Sequence, residues 1–202
     1  MTLPKLLVAL ASAAVLMAAL GSTATARNLS TSSQTLRAQF REIRFNFPNA
    51  STTCAVTIDG SFHNRTIAKV PGTLSGFITR VTLGACAVGT ATVLTGSLPW
   101  HVRYQSFTGT LPNITSIIAH VVGAALRVRE IGGTTCLAVT SAAEPGIITM
   151  ARETVTGAVT SVELTGTVLS GAECLGVGGG FVSDRAPVTV SNSTTRITIS
   201  LI

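Results

Sequence analysis

The sequence is short of charge, of lysine and of aromatic rings, and each shortage removes a class of protein. Charged residues make up 11% of the 202 positions, about half the share usual in soluble proteins. Ser and Thr must therefore supply much of the solvated surface. Lys69 is the only lysine beyond Lys5, and it follows Ile67-Ala68 instead of the glycine that a P-loop requires. One Trp and one Tyr cannot build the girdles of a membrane-spanning barrel, and segments such as Trp100–Gly109 carry Arg and His. There is no C-x-x-C pair, no H-E-x-x-H, no EF-hand loop and no G-x-S-x-G elbow. Gly176-Val177-Gly178-Gly179-Gly180 imitates a dinucleotide fingerprint, but Phe181 stands where the last glycine belongs and no βαβ unit surrounds it. The eight carboxylates are dispersed, which leaves acid–base catalysis without a pair. No motif implies a metal or a cofactor.

What is present begins with an export leader. Lys5 supplies a positive charge, Leu6–Leu20 form an almost wholly apolar run, and Gly21–Ala26 end in Ala24-Thr25-Ala26. That order is a secretory signal peptide with an A-x-A cleavage site, and the run is shorter than the roughly 20 apolar residues of a membrane span. We expect 1–26 to be removed, 27–35 to be a disordered polar leader, and 36–202 to be a single β domain with no transmembrane span. The mature chain has 12 Arg, 1 Lys and 8 Asp+Glu, a net charge of about +5. Its arginines are scattered and not clustered with aromatics, which argues against nucleic acid as a partner.

Thr, Val, Ile, Gly and Ser dominate, a composition suited to half-buried pleated strands separated by turns. Alternating runs predict strands at Arg37–Phe47, Thr53–Phe62, Thr66–Val70, Gly76–Leu83, Gly89–Leu98 and Trp100–Gly109. Further runs follow at Ile114–Arg129, Thr135–Ser141, Gly146–Thr154, Ala158–Leu169, Gly179–Val190 and Thr195–Ile202. Cys54, Val56 and Ile58 share one face and Thr53, Thr57 and Asp59 the other; Ile197, Ile199 and Leu201 repeat the pattern at the end. Ile114–Arg129 reads as a long strand bent at Gly123 in preference to a short helix, because β-branched residues fill it. The expected fold class is all-β: an antiparallel meander of about ten to twelve strands forming a β-sandwich or a closed barrel.

Four cysteines remain after the leader, Cys54, Cys86, Cys136 and Cys174, and an even count in an exported chain reads as two disulfides. Three connectivities exist. Cys54–Cys86 with Cys136–Cys174 is favoured, since the chain reads as two successive halves with one pair each.

The nearest approach to a site is an aromatic-His-x-Arg pattern that occurs twice, in Phe62-His63-Asn64-Arg65 and Trp100-His101-Val102-Arg103. On a strand, residues i and i+2 share a face, so each His stands beside its Arg. If the two strands pair, four groups converge into a cationic pocket for a carboxylate or phosphate. The competing reading is of ordinary exposed faces with the aromatics packed inward. Trp100, Val102 and Tyr104 share the other face, as core or as an aromatic wall beside a ligand. His120, among apolar neighbours, reads as a core side chain. The candidate ligand-binding residues are thus His63, Arg65, Trp100, His101, Arg103 and Tyr104, with no catalytic residue assigned.

The runs Gly60-Ser61-Phe62-His63-Asn64-Arg65-Thr66-Ile67-Ala68-Lys69 and Leu98–Pro112, with the four Cys positions, resemble an uncharacterised family of exported actinobacterial proteins. The resemblance covers most of the mature chain. It implies export and a disulfide-bearing fold, and it brings no activity.

The leading functional expectation is a secreted, non-catalytic protein of the extracytoplasmic space or cell envelope. It would bind a ligand or an envelope surface, with an anionic polymer, a lipid or a small molecule as partner. The alternatives are a β-barrel carrier of an apolar or anionic small molecule, and a hydrolase-like enzyme with a site at His63 and His101. N-terminal sequencing of the exported protein is expected to read Arg27-Asn28-Leu29-Ser30; a chain still starting at Met1 would refute the leader.

Overall fold

The computed structural model describes residues 28–47, 50–129, 135–168 and 179–202. Within them lie fifteen strands: β1 (Asn28–Thr31), β2 (Thr35–Phe47), β3 (Ala50–Phe62), β4 (Thr66–Ala68), β5 (Leu74–Cys86), β6 (Thr90–Val93), β7 (Trp100–Thr110), β8 (Asn113–Val122), β9 (Ala125–Arg129), β10 (Thr135–Val139), β11 (Gly146–Arg152), β12 (Val159–Val168), β13 (Gly179–Ser183), β14 (Val188–Thr189) and β15 (Ile199–Leu201). The one helical element among the described residues is a 3-10 turn at Thr95–Ser97. The signal-peptide assignment falls on 1–26, outside the described residues.

Nine strands form one antiparallel sheet in the order β13-β12-β11-β8-β7-β5-β3-β2-β14. From β2 to β13 each neighbour is the next main-sheet strand along the chain, so the expected meander is present, interrupted by short excursions, and β14 alone goes back to pair with β2. β13 pairs with β12, Phe181 opposite Gly166. Its other side pairs with β2, Phe181 opposite Phe45 and Ser183 opposite Ile43. The strand order therefore returns on itself through eight strands. β14 continues the same register on β2, with Val188 opposite Ala38. The strand expected over Gly179–Val190 is thus one line, broken where the chain leaves β2 between β13 and β14.

The excursions form two three-stranded sheets, β15-β1-β4 and β10-β9-β6. Because main-sheet neighbours run antiparallel, β1, β4 and β15 all depart from one end of the strands and β6, β9 and β10 from the other. Two expectations change here. Residues 27–35 are not simply a disordered leader: Asn28–Thr31 is the middle strand of the first small sheet, with Leu29 opposite both Leu201 and Ile67 and only 1% exposed. One buried leucine and hydrogen bonds on both sides outweigh its polar composition. Ile114–Arg129 is not a single strand either. At Gly123 the backbone takes φ 86°, a left-handed conformation that glycine adopts without steric cost. The chain there turns out of the main sheet into β9, which pairs with β6 and β10.

Alternation along the strands sends one face inward. Cys54, Val56, Ile58 and Phe62 of β3 are buried, as are Ile114, Ile117, Ala119 and Val121 of β8. Phe45, Leu29, Ile114, Val128, Val159, Ile197 and Ile199 are the largest hydrophobic side chains sealed almost completely, each contributing about 1.5–3 kcal/mol of burial. Cys54 and Cys86 stand opposite each other on β3 and β5 and form a disulfide. Closing a loop across a sequence separation of 32 stabilises by about 3–4 kcal/mol on the chain-entropy account. Cys136 is buried in β10 and is not a free thiol; Cys174, its expected partner, lies outside the described residues.

β3 and β5 approach closely where Phe62 faces Gly76. A Cβ on Gly76 would lie 2.5 Å from the Ser61 carbonyl oxygen and 3.3 Å from the Phe62 Cα, backbone atoms that cannot step aside. Gly76→Ala is expected to cost about 1–3 kcal/mol in thermal or denaturant unfolding. Gly96→Ala, with nothing within 4 Å, should leave stability unchanged; equal effects of the two would refute the close-approach account.

Candidate functional site

Along β7 the structure turns Trp100 and Tyr104 inward and His101 and Arg103 to solvent. Trp100 is 4% exposed and its Nε1 donates to Ser97 Oγ at 2.8 Å; Tyr104 is 3% exposed. Arg103 is exposed, and its Nη1 donates to the Gly72 carbonyl at 3.2 Å. His63 and Arg65 sit in the exposed turn between β3 and β4. The two aromatic-His-x-Arg strands do not pair, because β5 lies between β3 and β7. It places Phe77 between the imidazoles, edge-on to both, with centroids 5.9 Å from His63 and 5.5 Å from His101. The motifs therefore meet across an apolar ring and do not form the four-membered cationic pocket anticipated from the sequence. Neither His63 nor His101 has a carboxylate partner among the described residues. His120 is half-buried on the outward side of β8, since Ala119 and Val121 occupy the inward positions on either side of it.

The tightest charged cluster is elsewhere. Arg37, Asp59 and Arg80 stand side by side across β2, β3 and β5. Arg37 Nε donates to Asp59 Oδ1 at 2.6 Å, while Arg80 donates to Oδ2 through Nε at 2.9 Å and Nη2 at 2.8 Å. The hydrogen bond from Arg37 is the main force holding the Asp59 carboxyl below its usual pKa; burial opposes it and Arg80 reinforces it. With an arginine on each oxygen, the cluster is a cross-strand clamp. Among the described residues no group of three His, Cys, Asp or Glu is placed to hold a metal ion.

What the fold does build is an interior cavity. The larger chamber, about 70 Å³, is lined by Phe40 of β2, Phe62 of β3, Ile78 of β5, Tyr104 of β7, Ala119 of β8, Ile148 of β11, Leu164 of β12 and Val188 of β14. Leu29, Ile67 and Ile199, one from each strand of the first small sheet, line it at one end. A second chamber of about 50 Å³ reaches Phe181 of β13 and meets Leu126 and Ala138 of the other small sheet. Ile58, Ile78 and Leu164 line both chambers and form the waist between them. The lining is almost entirely aliphatic and aromatic, and among the described residues no charged side chain belongs to it.

Arg152 ties the first small sheet to the main one. Its Nε donates to the Ile199 carbonyl at 2.5 Å and its Nη1 to the Ile114 carbonyl at 2.9 Å. Burial pushes its pKa below the ordinary arginine value.

Of the six residues singled out from the sequence, Tyr104 lines the larger chamber and Trp100 the smaller, while the His and Arg residues remain outside. Leu29 and Ile67, which line one end, were not anticipated as site residues; the apolar Leu29 between Asn28 and Ser30 was the only local signal. No protein family, no curated protein and no solved structure matches the chain.

The Asp59 clamp carries a pH prediction. A carboxyl whose pKa is lowered by folding stabilises fully above its unfolded value, near 4, and that contribution is lost as pH falls through the lower folded value. Asp59→Asn is therefore expected to be less stable than wild type at neutral pH, with the gap narrowing on acidification. Denaturant titrations across that range check it, and a gap that widens in acid would contradict the clamp.

Proposed function

We propose that this chain is an exported, non-catalytic β-barrel protein that carries a small, largely apolar molecule in its interior outside the cytoplasm. The observation supporting this reading is the cavity itself, around which side chains from all eight strands of the ring and from both small sheets converge. Ligand sites in small barrels have this form, an apolar hollow with few polar groups. The two-sided pairing of β13 favours a closed barrel over a sandwich, whose sheets would keep separate edges. A second disulfide, Cys136–Cys174, belongs to the same reading. It would join the small sheet holding Cys136 to the link between β12 and β13, as a protein exposed to an oxidising compartment can.

Neither rival has a comparable observation behind it. An enzyme at His63 and His101 would need a nucleophile or carboxylate between the imidazoles, where Phe77 stands. An envelope-binding surface would need basic residues gathered on one face, and two of the arginines are already spent on Asp59.

Native mass spectrometry of the exported protein, followed by denaturing extraction, tests the proposal. A small molecule held in whole-number stoichiometry and released on unfolding is expected, on a chain whose mass carries the deficit of two disulfides. A protein that is always at its bare mass would overturn the carrier reading, and free thiols would overturn the second disulfide.

A further inference from the structure

Three polar side chains belong to residues lining the larger chamber: Ser61, Ser75 and Tyr104. Ser75 is satisfied, since its Oγ donates to the Val102 carbonyl at 3.0 Å. Ser61 falls between Gly60 and Phe62 on β3, at the alternate position whose side chain points away from the interior. Tyr104 is different. It is 3% exposed, its hydroxyl makes no hydrogen bond with any described residue, and its oxygen is not among the sealed ones, so it retains accessible surface.

A tyrosine hydroxyl this far inside a fold ordinarily finds a partner, and one that stays accessible without a protein partner is free to bond a molecule held in the chamber. Burial also raises the Tyr104 pKa above its usual value, so the group is a neutral O–H at physiological pH, able to donate. The one sealed hydroxyl without a hydrogen-bond partner among the described residues lies at the same end of the interior, Thr31 Oγ1 of β1. Thr31 shares a strand face with Leu29, which lines the chamber. Tyr104 belongs to that end too, since its backbone exchanges hydrogen bonds with Gly72 and Thr73 in the link between β4 and β5.

We infer that the Tyr104 hydroxyl is the polar anchor of the interior, and that the occupant is a small neutral molecule with one hydrogen-bond-accepting oxygen, such as a ketone or ester. This rests on the carrier reading and adds the ligand class. The molecule is neutral because no charged side chain among the described residues lines the chamber and a buried ion without a counter-charge is strongly disfavoured. It is small because about 70 Å³ is less than the roughly 150 Å³ hollow that admits benzene. Anything larger must extend through the waist into the second chamber or displace the sheet of β1, β4 and β15.

The test compares acetone with propane, two three-carbon probes smaller than benzene that differ in the carbonyl oxygen. Both are titrated by NMR into the exported, oxidised protein after exhaustive dialysis, and into Tyr104→Phe. Tyr104→Phe is expected to weaken acetone binding about 3- to 10-fold while shifting propane by less than about 2-fold. The empty variant should melt no lower than wild type, because it loses only an unsatisfied group; a clearly lower melting temperature would show that the hydroxyl is structural and overturn the inference. If both probes bind and the variant treats them alike, Tyr104 is not the anchor, and the carrier reading survives. If neither probe binds wild type, the carrier reading and the anchor fail together.

Discussion

The rest of the structure depends on the two-sided pairing of β13. Phe181 faces Gly166 on one flank and Phe45 on the other, and through those few residues the last strand of the meander rejoins the first. Without that junction the facing ends of β2 and β12 would border solvent, and Ile43, Phe45 and Leu164, buried beside β13, would lose cover. With it, the alternation along each strand adds up to one shared interior. The junction is reinforced away from the core. β2 carries an extra residue between Phe40 and Ile43, a bulge that leaves backbone N–H groups without ladder partners. Asp184, directly after β13, turns its carboxylate to the N–H groups of Arg41 and Glu42 at 3.3 and 3.4 Å, and its own N–H donates to the Glu42 carbonyl at 3.0 Å. The bulge and the closing strand thus satisfy each other.

Much of this was legible in the residues. The strand with Cys54, Val56 and Ile58 on one face appears as expected, as does the alternation of Ile197, Ile199 and Leu201. The favoured pairing of Cys54 with Cys86 is present, although it was expected from a division into two halves, whereas it is the adjacency of β3 and β5 that brings the two residues together. What the sequence concealed has one physical origin, which is that periodicity is local and neighbours across a sheet are not. Asn28–Thr31 looks too polar and too short to fold. It is ordered by β4 and β15, strands that lie far from each other in the chain. Gly123 announced a bend, yet only the partners β6 and β10 determine that the bend changes sheets.

The candidate site shows the same division. Strand geometry correctly placed His beside Arg and Trp100 beside Tyr104 on opposite faces of β7. It did not show that β5 would separate the two motifs, nor that the inward face, which lacks histidine and arginine, would be the one to surround a hollow. A cavity leaves no sequence signature, because it is the space left over after side chains from eight strands have been fitted together.

The sheet of β1, β4 and β15 closes one end with very short strands. Leu29 and Leu201 face each other although almost the whole described chain runs between them, and bringing such distant segments together carries a larger loop-closure entropy than any hairpin in the ring. A sheet that small, built from such distant segments, is expected to open locally before the body unfolds. In the proposed carrier, fit and residence time would then rest on different parts of the protein: the first on the main-sheet strands, the second on the few hydrogen bonds around β1, with Arg152 of β11 holding the Ile199 carbonyl.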